Sequence, residues 1–487
     1  MSAIEPFALT ETISRICPDI YHPAIARDGL LTRLRIPGGV LNELQCRMIA
    51  ELLETIGLEY VQVTNRANLQ LRSLSQDLDR DLLTKLTECG LAASNTAVDG
   101  IRNIMLSPTA GIDAQELIDV RPLAAAWLEY LDLHPELGSL SNKFSVGFDG
   151  GGSVGILDRP NDITLLAIGK DEFSLHLGMG NRGEAPQPVG VNLTTDECLP
   201  MLAAIAQSYL QGITVIGGDT RRKPRLRDVI SDDGLAEFGE LVRREFIGSR
   251  QFVFKNTSLD SAKRTLRERD YIQVNNDLHL GAQQQRQPDR YYVGVVLLLG
   301  RWTVAQIKGL ESIAVQYGSG TIRLTPWQNV IIPDVRSIDL NTVQGLINDL
   351  GLVQTATHPS SLLRACAGAT GCQFSATDTQ ADAIALSEYL AAQFTLDRPL
   401  NIHFSGCEKS CAQPDLADIT LWGEAETSER GSRYRLEIGE VRATFEQESR
   451  DLLPPERIPI FVGKLIEDYQ QRRLDAQESL PAFINRQ

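Results

Sequence analysis

Four of the eight cysteines stand in two close pairs. Cys366 and Cys372 flank five residues, Cys407 and Cys411 flank three, and 34 residues separate the pairs. Thiolates are soft ligands that suit zinc or iron–sulfur centres. Zinc sites favour gaps of about two to four residues and often recruit histidine. The small residues inside these loops (Ala367, Gly368, Ala369, Gly371, Ser410) let backbone amides approach sulfur, as amides do around iron–sulfur clusters. A cuboidal four-iron cluster is the expected occupant. Zinc and four structural thiols are the alternatives. The other cysteines (Cys17, Cys46, Cys89, Cys198) are scattered, and none of the histidines has metal spacing.

A second set is cationic. Arg66 lies in Thr64-Asn65-Arg66-Ala67-Asn68-Leu69-Gln70-Leu71-Arg72, Arg102 follows Gly100-Ile101, and Lys143 opens an apolar run to Phe148. Arginine suits bidentate carboxylate recognition and lysine supplies a point charge. Together Arg66, Arg102 and Lys143 read as an anion-binding set, whereas Arg72 alone could be surface charge. Gly150-Gly151-Gly152 would let backbone approach a flat or bulky ligand. The basic run Arg221–Arg227 reads as a solvated turn into a helix.

The elements that must position these groups come in two copies. A shift of 261 residues brings Gly39 onto Gly300, Gly57 onto Gly318, Thr64 onto Thr325, Arg66 onto Trp327 and Asn68 onto Asn329. Each copy predicts a strand (Leu31–Pro37; Tyr292–Leu299), a helix (Asn42–Ile56; Thr303–Tyr317) closed by a glycine in the left-handed region, and an alternating strand (Tyr60–Val63; Thr321–Leu324). Downstream, Arg102-Asn103 answers Arg364-Ala365, Lys143 answers His403, and Asp162–Leu165 answers Asp418–Leu421. The expected division is a first half-module over 1–80, a first core module over 81–248, a connector over 249–289, a second half-module over 290–340 and a second core module over 341–487. Gly281–Pro288 has linker character. A ligand is expected in the seam between the halves.

At 487 residues the chain has about three to five domains' worth of length. It carries 47 basic and 63 acidic residues, a net charge of −16, which argues against a nucleic-acid or membrane-surface binder. No apolar run is long enough to cross a bilayer. The first residues, Met1–Pro6, lack the pattern of a secretory signal, so a cytoplasmic protein is expected.

The cysteine spacing, the duplication and the Thr-x-Arg-x-Asn-Leu-Gln-Leu strand resemble the sulfite/nitrite reductase superfamily. The resemblance implies an α+β and α/β fold duplicated internally, each half a ferredoxin-like module followed by a larger α/β module. It implies that Cys366, Cys372, Cys407 and Cys411 bind a [4Fe-4S] cluster, with the Cys411 thiolate shared with siroheme iron. It implies active-site roles for Arg66, Arg102 and Lys143, the last being the first lysine of a Lys-x-Lys pair whose second position here is Ser145. Ser405–Pro414, Ile16-Cys17-Pro18 and Leu324-Thr325-Pro326-Trp327 are similar to the precorrin-3B synthase branch of that superfamily. That branch implies an oxygen-dependent monooxygenase of cobalamin biosynthesis acting on a carboxylate-rich tetrapyrrole, precorrin-3A. It would use the cluster, with siroheme or a mononuclear non-heme iron as the candidate second centre. The superfamily's other reading is a siroheme-dependent sulfite or nitrite reductase. No nicotinamide or flavin motif is visible, so a separate electron donor is expected.

Overall fold

The computed structural model describes residues 17–180, 183–216, 223–230, 234–246, 251–255, 277–413, 417–425, 432–439, 441–442 and 452–487. Ile16, Arg221, Arg222, Pro414, the N-terminal stretch before Cys17 and most of the connector after residue 255 lie outside them.

Local chemistry sets the helices of the two half-modules. Asn42 accepts from the Gln45 amide while the Gln45 side chain returns to the Asn42 amide, a capping box that starts the helix Glu43–Ile56. Thr303 and Gln306 repeat the device ahead of Val304–Tyr317. Gly57 closes the first helix at φ 71°, as expected. Gly318 does not match it. Its φ is −115°, and the left-handed turn falls at Gly320, whose amide reaches the Ala314 carbonyl. A side chain at Gly318 would strike the Pro333 carbonyl at 2.6 Å, so close approach rather than backbone sign requires that glycine.

The half-modules exchange strands. The first sheet runs Ala24–Ala26, Gly29–Leu34, Leu69–Leu74, Tyr60–Val63 and then Arg301–Thr303 from the second half. The second runs Gly281–Gln284, Arg290–Val295, Val330–Arg336, Thr321–Leu324 and then Val40–Asn42 from the first. Val61 opposes Trp302 while Leu41 opposes Ile322, so the same contact is made twice with the halves interchanged. One apolar core serves both, including Leu41, Leu52, Val61, Trp302, Ile313 and Ile322. Gly281–Gln284 is therefore an edge strand, not linker.

Each core module has one topology. Asn103–Leu106, Ser145–Asp149 and Ile163–Gly169 pair in parallel, and Glu172–Leu177 returns antiparallel. Leu363–Ala365, Ile402–Ser405, Ile419–Glu424 and Arg433–Ile438 do the same. The matching anchor is a carboxylate: Asp162 accepts from the Ser145 amide at 3.0 Å and Asp418 from the Asn401 amide at 2.8 Å. This register corrects two of the sequence pairings. His403 stands at the place of Gly147 rather than Lys143, and Arg364 at the place of Met105 rather than Arg102, because strand pairing and the aspartate anchor set equivalence, not side-chain likeness. Lys143 itself lies in the turn before the strand, which begins at Ser145. No helix among the described residues is long and apolar enough to cross a membrane.

Candidate active site

Two tight turns face the region between the halves. In the first, the Thr64 amide bonds the Asn68 carbonyl at 2.8 Å and the Asn68 side chain accepts from the Ile36 amide at 2.8 Å. In the second, Thr325 bonds Asn329 at 2.9 Å and Asn329 accepts from the Leu297 amide at 3.2 Å. Ala67 and Gln328 adopt φ 52° and 63°, a left-handed backbone held by these bonds. The turns carry Arg66 and Trp327, a cation and an aromatic at matching positions of the two halves.

Arg66 is tied down. Its Nη1 donates to Ser145 Oγ at 3.0 Å and Asn161 Oδ1 at 3.4 Å, and its Nη2 to the Pro160 carbonyl at 2.7 Å. Burial draws its guanidinium down to about 10, with Asp162 opposing. Arg102 is already paired: Nη1 lies 3.4 Å from Asp99 Oδ1 and Nη2 donates to the Gly90 carbonyl at 3.2 Å. Burial pushes the Asp99 carboxyl up while Arg102 holds it down. Arg66 and Lys143 both lie near enough to Cys17 to lower its thiol, whereas Arg102 serves a buried ion pair. The three cations thus do not converge on one point.

A cavity of about 420 Å³ opens beside the second turn, lined among others by Asn65, Arg159, Trp327, Arg364, Asn401 and Gln413. The Trp327 ring stacks on His279 at 4.5 Å, and the Arg159 guanidinium lies 5.6 Å from its centroid. Burial, and then Arg159, draw Arg364 down to about 10. Sequence reasoning noticed Trp327 as a repeat partner and as the end of a branch-like motif, gave it no role at a site, and did not see Arg159 as part of this cavity. Arg364 sat at a misjudged station.

The cysteines gather at the end of the second core module. Cys366 follows the strand Leu363–Ala365, and its amide bonds the Phe404 carbonyl at 3.2 Å. Gly406 donates its amide to Cys366 Sγ at 3.3 Å. A side chain at Gly406 would lie 1.7 Å from Ser375 Oγ. Cys372 ends the turn Gly368–Gly371, with Gly368 at φ 67°. The Cys407 thiol is pushed up by burial and further by Cys411, Cys366 and Cys372, so the other three thiols lie close enough to act on it. Among the described residues no three metal-type side chains converge on a single ion. A four-iron cluster does not ask for that, since its thiolates surround a volume. The donor set, the small loop residues and the amide aimed at sulfur fit such a group.

Arg72, ambiguous in sequence, clamps these loops to the first half. It donates to both oxygens of Asp28 at 3.0 and 2.9 Å and to the Gly371 carbonyl at 2.5 Å. Asn65 reaches the Ala412 carbonyl at 3.4 Å, beside Cys411. The described part of the basic run, from Lys223 on, is tied to the first core module as it leads into the helix Leu226–Val229. Lys223 donates to the Gly138 and Leu140 carbonyls, and Arg225 pairs with buried Asp162 at 2.8 Å.

The model of the nitrite/sulfite reductase ferredoxin-like half domain matches residues 22–88 and again 283–350, and that of the nitrite and sulphite reductase 4Fe-4S domain matches 97–248. The ferredoxin–nitrite reductase of Leptolyngbya laminosa is 30% identical over 418 residues, covering 83% of this chain and 78% of that one. The chain belongs to the nitrite and sulfite reductase family. A chloroplastic ferredoxin–nitrite reductase of Arabidopsis thaliana is 27% identical over 416 residues, covering 82% of this chain and 68% of that one. The structure of the Mycobacterium tuberculosis NirA protein superposes with a TM-score of 0.72 at 20% identity, over 94% of this chain and 84% of that one. The duplicated α+β architecture is thus the family's. The 4Fe-4S domain model falls on the first core copy, which carries none of the four clustered cysteines.

Proposed function

We propose that this chain is an oxidoreductase that seats a carboxylate-bearing tetrapyrrole in the cavity between its halves, beside a [4Fe-4S] cluster on Cys366, Cys372, Cys407 and Cys411. The observation that carries this reading is one of place. Gln413, two residues beyond Cys411, lines the same cavity as Arg159, Trp327 and Arg364. An aromatic face with two guanidinium groups suits a flat macrocycle with acidic side chains. The cluster, when bound, supplies electrons one at a time at a potential set by its surroundings. The Gly406 amide at Cys366 is one such tuning contact. Trp327 gives the macrocycle a face, Arg159 and Arg364 hold carboxylates, and Lys143 offers an ammonium that can give a proton to a bound anion. A separate protein delivers the electrons.

The relatives' names support reduction of nitrite with electrons from ferredoxin, and siroheme is then the tetrapyrrole. On kinship that reading, or its sulfite counterpart, comes first. One feature of the site favours a second: oxygen-dependent hydroxylation of precorrin-3A, in the manner of precorrin-3B synthase. A reducer of small oxyanions wants free cations over the ligand. Here Ser145 stands where the resemblance expects a lysine, and its hydroxyl holds Arg66, while Asp99 neutralises Arg102. The cations that remain are better placed for a tetrapyrrole's own carboxylates. Turnover decides. Purified protein is given reductant with nitrite or sulfite, and separately with a precorrin and oxygen. Ammonia or sulfide formation supports the first reading, and oxygen-dependent conversion of the tetrapyrrole the second. Neither product from a protein with its full cluster would overturn both.

A further inference from the structure

Lys409 lies between Cys407 and Cys411, and it reaches both cysteine pairs. Its backbone amide hydrogen-bonds the Cys407 thiol, and its ammonium sits over the Phe374 ring, 3.2 Å from the centroid. Phe374 follows Cys372 by two residues. One residue thus bridges the two loops, to one through its backbone and to the other through its charge.

Cys366 is surrounded differently. Its sulfur accepts from the Gly406 amide at 3.3 Å and lies 3.4 Å from the hydroxyl of Thr379, which is fully buried. Hydrogen bonds inside the protein reach that sulfur. The Lys409 contact is on the surface instead: Phe374 is 57% exposed, and Lys409 is exposed. A surface contact of this kind adds little to the core. What it does is confine the ammonium, since an aromatic face attracts a cation that would otherwise move through solvent on a flexible stem. Glu408, next in sequence, brings the opposite charge to the same exposed turn. Arg72, on the Cys372 side, is balanced by Asp28.

We propose that the Lys409 ammonium, seated on Phe374, is a positioning charge for the iron–sulfur cluster: it stabilises the reduced form, which carries one more negative charge, and so raises the potential at which the centre accepts an electron. The inference rests on the cluster assignment made above and holds whichever reaction the cleft performs. Cluster potentials respond to net charge, to hydrogen bonds at sulfur and to solvent exposure. Lys409 supplies the first through its side chain and the second through its amide. Phe374 supplies the place where the charge is held.

The test is a redox titration of the cluster-loaded full chain with dithionite and mediators, after assay of iron and sulfide. The reduced cluster is read by its electron paramagnetic resonance signal. Lys409→Met should lower the ratio of reduced to oxidised cluster about threefold at a fixed potential, which at about 59 mV per decade for one electron is a fall of about 30 mV. Lys409→Arg keeps the charge and should keep most of the potential. Phe374→Leu frees the ammonium and should give a smaller fall in the same direction. Raised ionic strength should narrow the gap between wild type and Lys409→Met. Wild-type protein without iron and sulfide would overturn the cluster assignment itself. With the full complement present, a Lys409→Met potential equal to that of wild type, an equal fall in Lys409→Met and Lys409→Arg, or a gap indifferent to salt would overturn the tuning role. A Phe374→Leu protein at the wild-type potential would overturn the part given to the ring.

Discussion

Arg66 Nη1 donates to the hydroxyl of Ser145 at 3.0 Å, joining a turn of the first half-module to the first strand position of the core module. The Ser145 hydroxyl in turn lies 3.3 Å from Asp162. Arg66, Ser145 and Asp162 form a hydrogen-bonded chain in which Ser145 and Asp162 are buried and Arg66 is half-buried.

Ser145→Lys is therefore expected to bring an ammonium against the half-buried Arg66 guanidinium. It should push Arg66 out of its bonds with Asn161 and Pro160 and lower stability by about 1–3 kcal/mol. Denaturant melts read this directly. If the second reading of function holds, the same change impairs tetrapyrrole hydroxylation. A Ser145→Lys protein as stable as wild type would show that Asp162 absorbs the new charge.

Much of this was legible in the chain. The helices that start after Asn42 and Thr303 and the strands Tyr60–Val63 and Thr321–Leu324 follow from local chemistry repeated at fixed spacing, whereas Thr64–Asn68, expected as strand, forms a tight turn before the strand Leu69–Leu74. The strand exchange between halves was not, because Val61 meets Trp302 through pairing that no local pattern encodes. The downstream register failed for a related reason. Lys143 and His403 look alike as cations, but Asp162 and Asp418 fix the strands by their backbone partners. Arg72 and Gly371 meet across 299 residues, so only the folded chain shows that Arg72 holds a cysteine loop.

That contact makes its own prediction. Arg72→Ala leaves Asp28 and the Gly371 carbonyl short of a donor, at a cost of about 1–3 kcal/mol. The loop between Cys366 and Cys372 should loosen. Iron should pass to an external chelator several-fold faster than from wild type while the initial iron content stays similar. Unchanged release would mean that the loop is held by its own turn alone.

His176 is buried, and that burial draws it from 6.5 to about 4. The folded state keeps the ring neutral, while the unfolded chain takes up a proton below about 6.5. Stability is therefore lost as pH falls from 6.5 towards 4, at up to roughly 1.4 kcal/mol per unit from this group, and is unaffected above that window. Chemical denaturation at pH 7.5, 6 and 5 should show His176→Gln with a shallower acid decline than wild type. Parallel slopes would place the acid sensitivity elsewhere.

The most direct test of the central claim is the iron, sulfide and pigment content of protein purified without oxygen. The account predicts about four irons and four sulfides per chain, and their loss on Cys407→Ser, with destabilisation because metal binding is partly folding energy. It predicts retention on Cys198→Ser, which alters a buried thiol in the first core module. It also predicts a tetrapyrrole that co-purifies or binds on addition, and binds more weakly when Arg364 is replaced by Gln. A Cys407→Ser protein that keeps its full complement of iron and sulfide would contradict the account.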